Sequence, residues 1–233
     1  MNVTAIVPSA GTGERMHLGI RKPYISLMGR PILAFILDAL DTVSAVDRII
    51  VPVYPGEEHF CENEIIANMS LQKTVRVIAG GETRQESVRN ALGQLCDTCD
   101  LVLVHDGARP LVTTAMLQTA VTETQTRKAT TMAVPVKDTI TLLSGDNMVV
   151  QQTLPRERLY AIQTPQTFER NLLVRAHQRA VQDGFAGTDD ASLVERLGGN
   201  VYVLMGSYAN MKITTKEDLV LAEALLARRQ NRA

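Results

Sequence analysis

The chain has 233 residues, 24 Lys and Arg against 25 Asp and Glu, a formal charge of −1, and a hydrophobic content of 45%. That apolar fraction is enough for a core and excludes a disordered chain, and the near-neutral balance gives no general attraction to nucleic acid or an anionic membrane. No apolar run reaches the roughly 18 residues of a membrane span, Met1-Asn2-Val3-Thr4 lacks the basic flank of a secretion signal, and Cys61, Cys96 and Cys99 cannot all pair, so a cytoplasmic protein is expected.

Residues 3–7 predict a strand, followed by Ser9-Ala10-Gly11-Thr12-Gly13-Glu14-Arg15-Met16, with Lys22 seven residues beyond Arg15. Glycines let main-chain N–H groups approach anionic oxygens, and a helix starting near Gly13 would add its positive end, so this loop suits phosphate. Met16 holds the place of a third glycine, and no Gly-x-x-x-x-Gly-Lys-Ser/Thr loop occurs, which disfavours hydride transfer and the common ATPase chemistry. Residues 31–43 predict a helix opened by Pro31, with Ile32, Phe35, Ile36, Ala39 and Leu40 at helical spacing.

Further strands are predicted at 48–53, 75–78, 101–105, 131–135 and 201–205, and further helices at 84–95, 114–125, 170–182 and 217–229. The alternation predicts an α/β fold of three layers with a mostly parallel sheet, in a single domain over 1–233. One segment, 139–168, breaks it: Ser144-Gly145-Asp146-Asn147 separates two β-like runs, 139–143 and 148–152. A β-hairpin arm over 139–160 is therefore expected to project from the sheet. Such a hairpin needs a partner surface, either a second copy in a homodimer or its own domain.

Open α/β sheets bind ligands beyond the carboxyl ends of their strands. There the chain places Gly80-Gly81-Glu82-Thr83-Arg84-Gln85-Glu86-Ser87, a second glycine turn entering a helix, and His105-Asp106-Gly107-Ala108-Arg109-Pro110. Asp106 is placed to hold magnesium against phosphate oxygens, and Arg109 can fork onto a phosphate. Each has a plainer reading: Asp106 as a turn cap, Arg109 in a surface ion pair, His105 as a satisfied strand-end side chain. Asp138-Thr139, Thr188-Asp189-Asp190 and Asn210-Met211-Lys212 divide in the same way. Cys96-Asp97-Thr98-Cys99 reads as structural or surface cysteines, and His17, His59, His105 and His177 are too scattered for a metal cluster.

Taken in order, Ser9 to Met16, Arg21-Lys22-Pro23-Tyr24, Gly80 to Arg84, Ser87-Val88, Val104 to Pro110, Val134 to Thr139, Gln163-Thr164-Pro165-Gln166, Thr188 to Ala191 and Asn210 to Thr214 resemble the 2-C-methyl-D-erythritol 4-phosphate cytidylyltransferase family of the non-mevalonate isoprenoid pathway, from residue 3 to about residue 223. The resemblance implies a Rossmann-like nucleotidyltransferase fold and a Mg²⁺-dependent transfer of a cytidylyl group from CTP to the sugar-alcohol phosphate. It implies that Arg15, Lys22, Arg156 and Lys212 are catalytic and that Asp106 holds the metal. Ser9, Ala10, Gly11, Thr12, Gly13, Gly81, Glu82, Arg84, Ser87 and Ala108 would join Arg15, Lys22 and Asp106 around CTP. Arg109, Thr139, Thr188, Lys212 and, from the arm, Arg156 of the partner subunit would hold the acceptor.

The chain departs from the family pattern at Pro23, where a glutamine is common, at Ser9 and Gly107, where alanines are common, and at Ala209, where an acidic residue often stands. Pro23 removes a main-chain donor and fixes φ beside Lys22. Two rivals stand beside the first reading: transfer to another alditol phosphate such as ribitol 5-phosphate, and a non-catalytic nucleotide-binding scaffold. Ala108 and Thr188-Asp189-Asp190 favour methylerythritol phosphate by family likeness, and the full set of charges favours an enzyme.

Overall fold

A computed structural model describes residues 1–11, 21–145 and 148–231. In chain order the elements are β1 (Val3–Ile6), a 3₁₀ turn (Lys22–Tyr24), the two-residue strands β2 (Ser26–Leu27) and β3 (Arg30–Pro31), α1 (Ile32–Asp41) and β4 (Val46–Val53). The short α2 (Glu58–Phe60) runs on through irregular helical turns to Asn68, then come β5 (Thr74–Ala79), α3 (Arg84–Leu92), β6 (Leu101–Val104) and α4 (Thr114–Arg127). The rest is β7 (Ala129–Pro135), β8 (Thr141–Ser144), β9 (Val149–Thr153), β10 (Tyr160–Glu169), α5 (Arg170–Gln182), α6 (Asp190–Arg196), β11 (Tyr202–Met205) and α7 (Lys216–Gln230).

Seven strands form one sheet in the order β11-β7-β10-β6-β1-β4-β5. The pairings β1 with β4 and β6, β4 with β5, and β7 with β11 are parallel; only β10 runs against its neighbours β6 and β7. Alternation along β1 and β6 explains the three layers. Val3, Ala5, Leu101 and Leu103 enter one core with Leu33, Leu37, Leu117 and Leu226, from α1, α4 and α7. Ile6, Val102 and Val104 enter the other with Val88, Leu173 and Val194, from α3, α5 and α6. Each such side chain, removed from water, contributes roughly 1.5–3 kcal/mol before chain entropy is counted. After β1 the chain turns one way to β4 and β5 and then returns to β6 on the other side, so β1 and β6 flank a topological switch point.

The structure corrects two expectations. Pro31 is not in the first helical turn: with φ −58° and ψ 142° it is extended, paired with Ser26, and α1 begins after it. Residues beyond 159 do not belong to the excursion, because β10 is a ten-residue strand of the main sheet. Its polar run Gln163-Thr164-Pro165-Gln166 does not read as a central strand, and Pro165 is accommodated where the register with β7 breaks between Gln163 and Gln166. The seven-residue α6 and the turns after Glu58 also went unpredicted. The hairpin itself forms: β8 and β9 pair antiparallel as a separate two-stranded sheet.

Candidate active site

Three loops leave the carboxyl ends of β1, β5 and β6 and meet at the switch point. Their contact depends on absent side chains. A Cβ on Gly80 would lie 2.5 Å from the Cβ of Ala10 and 2.9 Å from Ser87 Oγ, and one on Gly107 would collide with Ser9 Oγ. Two of the family departures therefore touch and compensate, since the Ser9 hydroxyl fills the space that an alanine methyl at position 107 would need. In the turn after β5, the Gly81 N–H donates to Ser87 Oγ (3.0 Å), which donates to the Thr83 carbonyl (2.9 Å), and Thr83 Oγ1 caps α3 by accepting from the Glu86 N–H (3.0 Å).

These loops enclose two adjoining cavities, of ≈ 320 and ≈ 270 Å³. The first is lined by Ser9, Ala10 and Gly11, by Lys22, by Gly81, Glu82, Arg84 and Ser87, and by Asp106, Ala108 and Lys212. The second takes Arg109, Thr188, Gln163, Thr164, Gln166 and Asp189, together with Arg84, Asp106 and Lys212 again. Thr12, Gly13 and Arg15, with any helix start near Gly13, lie outside the described residues. Thr139 and Arg156 line neither cavity; both are exposed at the base of the arm, where Arg156 Nη1 donates to the Lys137 carbonyl (2.9 Å).

The two cavities share a charged wall. Asp106, 7% exposed, accepts from Arg84 Nε at Oδ1 (2.9 Å), and its Oδ2 meets Lys212 Nζ (3.0 Å) and Arg109 Nε (3.5 Å). Burial acts to raise the carboxyl, but the charges of Arg84, Lys212 and Arg109 outweigh it and hold Asp106 far below the usual carboxylate range. Lys212 is held in place by its own loop: buried Asn210 donates to the Thr164 carbonyl (2.8 Å), and the Ile213 N–H donates to the Ala108 carbonyl (2.8 Å). The Arg109 Nη1 atom donates to the Asn210 carbonyl (2.9 Å), which joins that loop to β6.

His105 is fully buried, and its contacts fix its tautomer. Nε2 faces the Arg109 carbonyl (3.1 Å), which can only accept, so Nε2 carries the proton and Nδ1 accepts from Thr164 Oγ1 (3.1 Å). Thr164 Oγ1 in turn accepts from the Asp106 N–H (3.0 Å). Burial pushes the imidazole down to about 4, against the opposing hydrogen bond to Arg109, so it is neutral at physiological pH. The plainer reading of His105 holds: it braces the turn that aims Asp106.

Pro23 sits second in the 3₁₀ turn and is buried against the first cavity. The donors that close this turn belong to Tyr24 and Ile25, bonded to Arg21 and Lys22, so the N–H that proline lacks is not needed. Just before it, Arg21 pairs with Glu57 (2.5 Å) and lies 3.3 Å over the Tyr54 ring, which fastens the entry to Lys22.

Some site residues were not legible in advance. Gln163 and Thr164 belonged to a noted motif without a role, and Thr164 serves the site through His105 and Asp106. Gln166, fully buried, accepts from the Asp190 and Ala191 N–H groups with Oε1 (3.1 and 3.2 Å) and donates to Asp189 Oδ2 (2.7 Å), docking the start of α6 on β10. Cys61, Cys96 and Cys99 are free, with Cys61 and Cys99 buried, and among the described residues no group of three His, Cys, Asp or Glu could hold a metal ion.

The sheet topology and the shared wall, where three cations meet one buried carboxylate, define an α/β protein with two adjoining cavities at the carboxyl ends of its strands. Comparison with known proteins is specific: a model for the family IspD, 2-C-methyl-D-erythritol 4-phosphate cytidylyltransferase, matches residues 3–228, and the chain belongs to that family. It is 45% identical to the enzyme so named from Geotalea uraniireducens over 97% of each chain, and 42% identical to that of Caldanaerobacter subterraneus subsp. tengcongensis over 97% of this chain and 99% of the other. A crystal structure of 4-diphosphocytidyl-2C-methyl-D-erythritol synthase from Anaerococcus prevotii superposes with a TM-score of 0.86 at 32% identity, covering 97% and 96% of the two chains. Among the described residues, no helix is long and apolar enough to cross a membrane.

Proposed function

We propose that this chain transfers the cytidylyl group of CTP to 2-C-methyl-D-erythritol 4-phosphate. An oxygen of the acceptor phosphate bonds to the α-phosphorus, the bond from that phosphorus to the bridging oxygen breaks, and pyrophosphate leaves with the electron pair. The observation that carries this reading is the pair of cavities joined by Arg84, Asp106 and Lys212, which lets two anionic reactants meet at one wall. The first cavity takes the nucleotide, with Lys22 and Arg15 on the triphosphate and the turn from Gly81 to Ser87 around the base and ribose. The second takes the acceptor, with Arg109, Thr188 and Lys212 on its phosphate.

Both reactants are anions, so charge neutralisation and alignment supply the acceleration. A phosphate monoester oxygen is already ionised near neutral pH, so no general base is required. His105, fully buried with both ring nitrogens engaged, is not placed to act as one.

Magnesium fits the donor set: the ion is usually held by one or two carboxylates plus the substrate's own phosphates, and Asp106 is a single carboxylate on the wall between the cavities. Asp106 would hold the ion, and Arg84 and Lys212, which now occupy its oxygens, would yield one of them. When bound, the metal neutralises charge on the phosphate oxygens of the nucleotide.

Two further features belong to this reading. The exposed arm supports a homodimer in which Thr139 and Arg156 serve the cavity of the other subunit, which accounts for their absence from the cavities of their own chain. The free thiols support work in the reducing cytoplasm.

The test is pyrophosphate release from CTP, ATP, GTP and UTP in combination with methylerythritol phosphate, ribitol phosphate and related alcohols, with and without EDTA. Release confined to CTP, methylerythritol phosphate and divalent metal is expected. Preference for ribitol phosphate would move the chain to the rival acceptor, and no release with any pair would favour the scaffold.

A further inference from the structure

Behind the cavity wall lie two buried groups, Asp190 and His177, that the transfer itself does not use. Asp190, the first residue of α6, is fully buried. Its Oδ2 accepts from Arg84 Nη1 (2.8 Å), and its Oδ1 lies 3.0 Å from Nε2 of His177, which comes from α5 and is 2% exposed. Arg84 then reaches forward with Nε to Asp106 Oδ1 (2.9 Å). The row therefore runs His177, Asp190, Arg84, Asp106, from the apolar layer between α5 and α6 to the wall shared by both cavities.

The chemistry of the row is directional. A carboxylate can only accept, so His177 donates from Nε2, while its Nδ1 is buried without a partner among the described residues. Arg84 spends two of its three nitrogens on Asp190 and Asp106, and Nη2 has no acceptor among the described residues. Only His177 donates to Asp190 Oδ1 in this set, so removing it leaves a buried carboxylate oxygen unpaired, which is strongly unfavourable. Asp190 would then turn or take a proton, and Arg84 would lose the anchor that keeps it against Asp106.

The consequence falls more on one cavity than on the other. Asp106 is balanced between Arg84 on Oδ1 and the pair Lys212 and Arg109 on Oδ2. Without Arg84, its whole charge turns on Lys212 and Arg109. Arg109 lines only the second cavity, and Lys212 lines both. Cations drawn onto Asp106 are withdrawn from an incoming phosphate.

We propose that His177 and Asp190 are positioning residues that hold Arg84 against Asp106 and so keep Arg109 and Lys212 available to the anion in the second cavity. The proposal deepens the transfer reading and rests on it for the identity of that anion. His177→Leu keeps bulk and removes the donor; His177→Gln restores an N–H. For His177→Leu the KM for methylerythritol phosphate is expected to rise about tenfold, while the KM for CTP, whose cavity Arg84 also lines, rises clearly less, and His177→Gln should recover most of the loss.

A fall in the folded fraction lowers kcat and moves neither KM, so this split separates positioning from general damage. Should His177→Leu not fold, Asp190→Asn, which keeps an acceptor for Arg84 but removes the charge, is expected to raise the acceptor KM several-fold. An unchanged acceptor KM in the folded variants, or equal rises for both substrates, would overturn the proposal, as would a Gln variant no better than Leu. Calorimetric titration of methylerythritol phosphate into wild type and variants repeats the comparison without turnover. Absent pyrophosphate release in the wild type thus counts against the transfer reading, and equal acceptor affinities count against the row.

Discussion

The cleft and the arm solve opposite problems. In the cleft the chain pairs with itself: Asp106 meets three cations, His105 bridges Thr164 and the Arg109 carbonyl, and Gly80 and Gly107 let three loops close on one another. In the arm, β8 and β9 pair only with each other, and Leu142, Met148, Val149 and Val150 are 47%, 74%, 58% and 60% exposed. A two-stranded hairpin with this much bare apolar surface is marginal alone. The charges of the described cleft wall pair within one chain, while the bare apolar face of the arm finds no cover there, which is the physical argument for a second copy.

Chemistry and association can therefore be broken separately. Lys22→Ala should show the largest effect, a loss of roughly 10²–10³-fold in kcat/KM, about 3–4 kcal/mol of transition-state stabilisation, with the melting temperature nearly unchanged. A loss under tenfold would remove Lys22 from the triphosphate. Next comes the arm: Val150→Asp should shift the sedimenting species to the 25.5 kDa monomer, with turnover falling roughly 10- to 100-fold as the Arg156 contact is lost. Mixing Lys22→Ala with Arg156→Ala subunits should then recover activity that neither has alone. Failure to complement would mean that the arm serves its own cavity.

A third variant tests how the cleft loops close. Gly107→Ala should cost about 2 kcal/mol through overlap with Ser9 Oγ, and the added change Ser9→Ala should return about half of it. The hydroxyl that donates to the Val7 carbonyl (3.0 Å) is lost in the double variant, so recovery stays incomplete. Strictly additive stabilities would show that the two departures from the family pattern are independent.

The cleft was legible in the sequence to the extent that its parts are local. The apolar runs of β1 and β6, the glycine turn before α3 and the carboxylate just past β6 all announce themselves within a few residues, and the rule that ligands sit at the carboxyl ends of parallel strands joins them. What depends on contact between distant segments did not announce itself. Ser9 and Gly107 look like unrelated departures until their side-chain space is seen to be shared. β10 hides because its inward groups are Gln163, Thr164, Gln166 and Thr167, polar residues whose burial is offset by bonds such as Gln166 Nε2 to Thr131 Oγ1 (3.0 Å). The row from His177 to Arg84 joins helices that sequence spacing alone does not bring together. The arm was the reverse case: its two strands were readable from local pattern alone.

The smallest expected effect distinguishes the two regions by pH. His105 is neutral in the fold, with its imidazole pushed by burial to about 4 from an ordinary value of 6.5. Below pH ~6.5 the unfolded chain takes up a proton that the folded cleft refuses, so stability falls as pH drops through the window between the two values. Asp106 and Asp190, held low chiefly by Arg84 against the opposing effect of burial, stay ionised there and contribute nothing to the slope. Between pH 7 and pH 5.5 the His105 contribution amounts to about 1 kcal/mol, or about 2–4 °C in melting temperature. His105→Asn should start lower and show a correspondingly flatter profile in calorimetry. The arm, residues 139–160, contains no histidine, so its association should be the same at both pH values by sedimentation. A dimer that dissociates over that window while His105→Asn keeps the full slope would place the titrating group in the interface and not behind Asp106.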